Sequence, residues 1–414
     1  MKSMLSLAWK SLQNRRFTTL LTVLTIAISI SLLLAVERIK TQTKQSFTNT
    51  ISNTDLIVGA RSGQVNLLLY AVFRIGNPTN NISWKSYREW ADNPKVKWSV
   101  PLSLGDSHRG FRVLGTNRDY FKFYQYGRKQ SLEFSSGLEF SGLFETVIGA
   151  DVAKSLHYAL GSKIILAHGI SDKKFNRHKN LPFVVTGILA PTGTAVDKTV
   201  HVTLSAIEAI HKGWKVTSAA PAAFNGSSLE PTQITAFLLG LHAKVATFSL
   251  QRQISSYAKE PLSAIIPGIA LHELWSMMSV AEQALQAVSF FVVVAGMLGM
   301  LSSLLSSLQA RRREMSILRA IGARPKHIYS LLVSEAGVTC AMGIALGVIV
   351  LYLALWLAAP MVRAQFGVSL ELKWLSTYEI YLILLVQLSG ILIGFIPAIN
   401  AYRQSLVDGM SVRV

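Results

Sequence analysis

Residues 284–308 read ALQAVSFFVVVAGMLGMLSSLLSSL, and residues 309–327, QARRREMSILRAIGARPKH, follow without interruption. The first string carries no charge and exceeds the roughly 20 apolar residues needed to cross about 30 Å of hydrocarbon. The second places Arg311, Arg312, Arg313, Arg319, Arg324 and Lys326 against one acid, Glu314. An apolar span running into a short basic connection is the mark of a membrane helix emerging on the cytoplasmic side. Working outward, three more windows qualify as spans: 17–36, 328–359 with one acid, Glu335, near its beginning, and 378–399. A chain of 414 residues that is 50% hydrophobic and 15% charged, with a mean hydropathy of +0.37, needs such an environment.

Lys2, Lys10, Arg15 and Arg16 precede the first window, so both termini and the 309–327 connection are expected in the cytoplasm. The expected order is a cytoplasmic amphipathic helix (1–16), a span (17–36), an outer stalk and core domain (37–283), a span (284–308) and the basic connection (309–327). A span (328–359), a short outer loop (360–377), a span (378–399) and a cytoplasmic tail (400–414) complete it. The first window is expected to stay as an anchor, since it is long for a signal-peptide core and no Ala-x-Ala site follows Leu34. The net charge of +19 is divided between the two sides of the membrane rather than gathered in one patch, which argues against nucleic acid as a partner. The single cysteine, Cys340, falls in the third window, so the outer domain folds without an internal disulfide.

Within the outer domain, 37–54 continues the first span without Gly or Pro. The 269–286 stretch repeats apolar residues at helical spacing into the second span, so two stalk helices are expected. Short β-rich runs at 55–58, 111–114, 146–148, 163–166, 183–188 and 199–202 alternate with helix-like pieces at 84–90, 150–160 and 205–211, which reads as an α+β domain. Gly187, Pro191 and Gly193 suggest a turn, and 216–231, rich in Ala, Ser, Pro and Gly, a mobile loop.

Catalytic and nucleotide signatures are missing from the sequence. It has no Gly-Lys dipeptide, hence no phosphate-cradling loop of the Gly-x-x-x-x-Gly-Lys type. His272-Glu273 opens like a zinc-protease helix, but Ser276 stands where the second histidine belongs. No Gly-x-Ser-x-Gly elbow is found, and the outer histidines, His168 and His178 among them, do not fall at ligand spacing with Cys or carboxylates. Expected catalytic, cofactor and metal residues on this chain are therefore none. Glu335 is the one ionisable residue considered functional inside a span, either paired with a basic residue of the 309–327 connection or reaching the interface.

The string from Arg311 to Ala323, followed by Pro325, His327 and Glu335-Ala336, closely resembles a segment of the FtsX, MacB and LolC/LolE superfamily of ABC permeases. The stretches 7–12 and 397–406 resemble that family's ends. Those at 54–60, 113–116, 148–153 and 185–189 are similar to its periplasmic core, so the likeness covers nearly the whole chain. The resemblance implies a multi-pass protein of the bacterial inner membrane whose fold is four transmembrane helices plus a large α+β periplasmic domain on two stalks. It further implies a coupling helix that meets an ATPase, formed by Arg311, Arg312, Arg313, Glu314, Met315, Leu318, Arg319, Ile321 and Gly322. Met315, Leu318 and Ile321 recur on one helical face, as docking into a partner's groove requires.

Members such as MacB fuse the ATPase to the permease. This sequence begins at the amphipathic helix, so the ATPase, with its ATP and magnesium, is expected on a separate chain. Further implied partners are a second permease copy or homologue forming a dimer, membrane lipids, and a periplasmic substrate or effector protein. The implied activity is mechanical export or extraction of a lipoprotein, peptide or amphiphile; the alternative is an FtsX-like signal transducer that activates a periplasmic partner without transport.

Overall fold

The computed structural model describes residues 16–168, 181–211, 229–310, 325–366 and 372–407. The chain divides into two compact units, one built from Met1–Gln42, Ser279–Val362 and Leu370–Val414, the other from Thr43–Met278 and Arg363–Ser369.

Among the described residues, four helices are long and apolar enough to cross a membrane: α1 (Arg16–Asn49), α2 (Pro267–Ala310), α3 (Pro325–Phe366) and α4 (Thr377–Val407). In the first unit Ile26, Ile30 and Leu34 of α1 pack with Met300 of α2, Cys340 of α3 and Val386 of α4. Large apolar side chains such as Phe290, Phe291, Leu353, Trp356 and Leu384 stay exposed, the pattern of faces whose solvent is lipid.

Lipid tails are as apolar as leucine, so close backbone approach and interhelical hydrogen bonds must hold such helices together. Two Gly-x-x-x-Gly pairs supply the first. A Cβ on Gly343 would lie 2.6 Å from Ile26 Cβ, and one on Gly347 would lie 2.8 Å from the Ala27 carbonyl oxygen, so this pair seats α3 on α1. Gly390 and Gly394 seat α4 against Cys340 and Ala336 of α3. Ser29 Oγ, 3.0 Å from Val292 O, links α1 to α2, and Gln387 Nε2 donates to Gly337 O at 3.1 Å between α4 and α3.

The second unit is organised by an eleven-stranded mixed sheet among the described residues. Nine strands form its path: β1 (Leu56–Ala60), β2 (Val96–His108), β3 (Phe111–Thr116), β4 (Phe134–Gly137), β5 (Glu145–Ile148), β6 (Phe183–Leu189), β7 (Thr199–Thr203), β8 (Ala236–Leu241) and β9 (Leu262–Ile265). Their order is β9-β1-β8-β2-β3-β7-β5-β6-β4, with Ala167–His168 pairing β2 and Lys163–Ile164 pairing β6. β7 runs parallel to β3, and β6 parallel to β5; the other neighbours along the path are antiparallel.

β1 and β8 are apolar at nearly every position because both of their faces are covered. Leu56 and Val58 point into one core with Tyr87, Trp90, Leu250 and Ile254 of two covering helices, Trp84–Ala91 and Thr247–Ser255. Ile57, between them, points into another core with Leu67, Leu68 and Tyr120. A third core, around Val113, Ile148, Val200 and Phe183, lies under the helices Ala150–Leu156 and Leu204–His211.

Two local expectations are corrected. Gly187 is not in a turn: it sits inside β6 opposite Gly137 of β4, where a Cβ would lie 2.3 Å from Leu138 O, so glycine is needed there for space. The helix from Ala150 stops at Leu156 rather than 160, because His157 adopts the left-handed conformation at φ 53° and ends it. The 216–231 stretch lies outside the described residues except for 229–231.

Candidate functional site

The expected coupling residues, Arg311, Arg312, Arg313, Glu314, Met315, Leu318, Arg319, Ile321 and Gly322, all lie outside the described residues, as does the amphipathic stretch before Arg16. Glu335 lies within them, on the third turn of α3, and is only 3% exposed. It lines a small cavity together with Thr22 of α1, Ser303 and Ser307 of α2, and Thr339 of its own helix.

A second buried charge site in the membrane unit joins α1 to α4. Arg38 Nε donates to Glu379 Oε1 at 2.9 Å and its Nη2 to Oε2 at 3.0 Å, a two-pronged pair with both side chains 4% exposed. The guanidinium also donates to Trp374 O at 3.3 Å and to the Tyr352 hydroxyl at 3.4 Å, and its Cζ lies 5.0 Å from the centre of the Tyr352 ring. Tyr352 in turn donates to Lys373 O at 2.9 Å. Glu379 and Ser376 form a reciprocal cap at the start of α4: Ser376 N donates to Glu379 Oε2 at 2.7 Å, and Glu379 N to Ser376 Oγ at 3.2 Å. A negative charge there also meets the favourable end of the helix dipole. One planar cation thus fastens α1, α3, α4 and the segment before α4 together, using donors in the fork geometry that matches a carboxylate.

Neither partner stands out among the sequence windows. Arg38 falls two residues past the first, and Glu379 is the second residue of the fourth, which is not free of charge after all. The readable signals were the Ser376-x-x-Glu379 capping spacing and the rarity of an acid inside a span.

In the second unit, two buried histidines, His108 and His201, are held within the fold. His108 Nδ1 lies 2.7 Å from Ile165 O and its Nε2 2.9 Å from the Tyr158 hydroxyl. His201, fully buried on β7, donates from Nδ1 to Val147 O at 3.2 Å and packs against Tyr120 and Phe121. Among the described residues, no group of three or more His, Cys, Asp or Glu could hold a metal ion.

Burial, helped by the nearby positive Arg74, pushes the His201 pKa down to about 3. The unfolded value is about 6.5. Between those values the unfolded chain binds a proton that the folded one refuses, so stability rises with pH and is lost on acidification from about pH 6.5 towards 3. The slope contributed is about 1.4 kcal/mol per pH unit. Unfolding of the full chain, followed by tryptophan fluorescence at pH 7 and pH 5, should show this slope, and His201→Phe should remove one proton's share of it. Equal slopes in the two proteins would exclude His201 as the source.

The family of MacB-like periplasmic core domains matches residues 19–256, and the FtsX-like permease C-terminal family matches residues 287–406. The macrolide export ATP-binding/permease protein MacB of Salmonella typhimurium (strain LT2) is 22% identical over 440 residues, covering 98% of this chain and 60% of the relative. MacB of Shewanella sp. (strain ANA-3) is 33% identical over 127 residues, 31% of this chain and 19% of that protein. The chain therefore spans at most about 60% of the length of these relatives.

Two solved structures are similar in part. The periplasmic region of MacB from Actinobacillus actinomycetemcomitans has 10% identity and a TM-score of 0.36 over 54% of this chain and 94% of its own. The extracellular domain of the ABC-type transporter YknZ from Gram-positive bacteria has 14% identity and a TM-score of 0.32 over 51% and 99%. With the core-domain family spanning more than half of the chain and the permease family following it, the chain belongs to the permeases that pair a MacB-like periplasmic core domain with an FtsX-like C-terminal region.

Proposed function

We propose that the chain is the permease component of an ABC transporter in a bacterial inner membrane, driven by an ATPase held on another chain. The observation that carries this reading is the succession of a MacB-like periplasmic core and an FtsX-like permease region along one chain that supplies four apolar helices. Nothing in its 414 residues offers the glycine-rich cradle and lysine that nucleotide phosphates need. The termini and the 309–327 connection face the cytoplasm, where the Arg311–Ile321 face receives the ATPase.

In this reading two permease copies, or this chain and a homologue, face each other. Closure of the ATPases pushes the coupling segments, and the motion passes along the spans to rearrange the periplasmic unit. α1 and α2 suit that task, since each is one unbroken helix from membrane-unit residues into residues of the second unit. The spans hold few ionisable residues, as expected for a machine that handles a lipoprotein, peptide or amphiphile from the outer leaflet or periplasm rather than through a polar conduit.

The purified chain should hydrolyse no ATP by itself and should copurify with a soluble ABC ATPase when the two are coexpressed. ATP hydrolysis by this polypeptide alone would overturn the assignment.

A further inference from the structure

The segment leading into α4 is pinned at two consecutive carbonyls by two other spans. Arg38 of α1 donates to Trp374 O at 3.3 Å, and Tyr352 of α3 to Lys373 O at 2.9 Å. The Ser376–Glu379 cap then fixes the first turn of the helix. In a stretch whose backbone is held this firmly, the Trp374 side chain is nevertheless 93% exposed. An indole is a large apolar ring with one N–H, so the medium it favours is apolar on one side and wet on the other.

The helix that follows continues the same exposure. Spacings of three and four put Tyr378, Tyr381, Leu385, Leu388 and Leu392 on one face of α4, and each is more than half exposed. The opposite face turns Glu379, Val386 and Gly390 to Arg38, the bundle core and Cys340. From Tyr381 to Leu392 the helix advances about 16 Å, close to half of the ~30 Å hydrocarbon thickness. With the leucines in hydrocarbon, the two phenols and the indole therefore fall at its edge, where aromatic side chains with a polar tip settle.

We infer that Trp374, Tyr378 and Tyr381 form a phospholipid contact at the bilayer boundary, with the indole seated at the glycerol and carbonyl level of the lipid. The inference rests on α4 crossing the membrane and not on the permease reading. What identifies lipid as the occupant is continuity: the aromatic end belongs to the same exposed stripe as the leucines of an apolar span. Such side chains seek the boundary itself, so the contact takes phospholipid irrespective of headgroup charge. Because the two pinned carbonyls are bonded to α1 and α3, the depth the indole takes is shared with those helices.

Cys340 is the only cysteine, so Cys340→Ala opens the full chain to single-site labelling. Trp374→Cys, Tyr378→Cys, Leu385→Cys and Leu392→Cys in that background each carry a nitroxide, and the protein is placed in phosphatidylcholine vesicles. Accessibility to oxygen, which concentrates in hydrocarbon, is compared with accessibility to a water-soluble nickel chelate. The oxygen-to-nickel ratio should rise stepwise from 374 to 392, with both reagents reaching 374. In the chain that keeps Cys340, the tryptophan emission removed by Trp374→Phe should be quenched more by lipid brominated near the glycerol than by lipid brominated at the chain ends. This second arm carries the test if Cys340→Ala does not fold. A label at 374 reached by nickel but not oxygen would put the indole in water. Labels at 374 and 378 reached by neither would show that protein, a second copy or another partner, covers the stripe. Either result overturns the inference, as does Trp374 emission indifferent to where the lipid carries bromine.

Discussion

Replacing Leu318 with aspartate is expected to abolish ATPase binding and stimulated hydrolysis while the protein still inserts in the membrane at normal abundance. Met315, Leu318 and Ile321 recur every three residues, so on a helix over Arg311–Ala323 they share one face, with Arg311 one turn before Met315 on the same side and Arg313 on the opposite one. If that face docks in a groove of the ATPase, Leu318→Asp forces an unpaired carboxylate out of water at a cost of about 3–5 kcal/mol. At 1.4 kcal/mol per decade, affinity falls by roughly a hundredfold or more. A segment that served only topology would tolerate the change, because Leu318 adds nothing to the positive-inside signal and aspartate contributes little. ATPase binding and stimulated hydrolysis are measured in membranes containing the variant, with orientation checked by protease accessibility. Normal binding and stimulation would show that this face does not touch the ATPase, and the coupling role would move to the amphipathic stretch at 7–12.

The four spans were legible because long apolar runs with at most one charge have few other uses in a chain this size. Strands bounded by turn residues, such as 183–188 and 199–202, were legible for a similar reason. β8, Ala236–Leu241, was not singled out: a strand covered on both faces is apolar at every position and loses its alternation. Gly187 shows a second limit. Sequence cannot tell a glycine chosen for positive φ from one chosen because another backbone passes within reach of its missing Cβ, and Gly187 is the latter. The cavity beside Glu335 was half visible. The paired hydroxyls at i and i+4 are plain once aligned with the spans, but serine and threonine are common in membrane helices simply because they can bond the preceding turn. What seats α3 on α1 beside it is close packing at Gly343 and Gly347, a contact between residues far apart in the chain.

The Arg38–Glu379 pair, 341 residues apart in sequence, was invisible for the same reason, and it leads to the second large expected effect. Arg38→Met alone should destabilise the membrane unit by about 3–5 kcal/mol, since it strands a buried carboxylate without its cation. Glu379→Gln alone should cost a similar amount by stranding the guanidinium, although glutamine can still accept from Ser376 N and keep the cap. The double variant Arg38→Met/Glu379→Gln buries no charge and retains the cap, so it should be more stable than either single one. That non-additivity separates a buried charge pair from two independent side chains, whose effects would sum to within about 0.5 kcal/mol. Tyr352→Phe removes only a neutral hydroxyl that links Arg38 to Lys373 O, and should cost about 1 kcal/mol. Reversible unfolding of the full chain in mixed micelles measures all four. Additive single effects would mean that Arg38 and Glu379 do not meet in the folded protein. Recovery in the double variant would establish the clamp that joins α1 to α4.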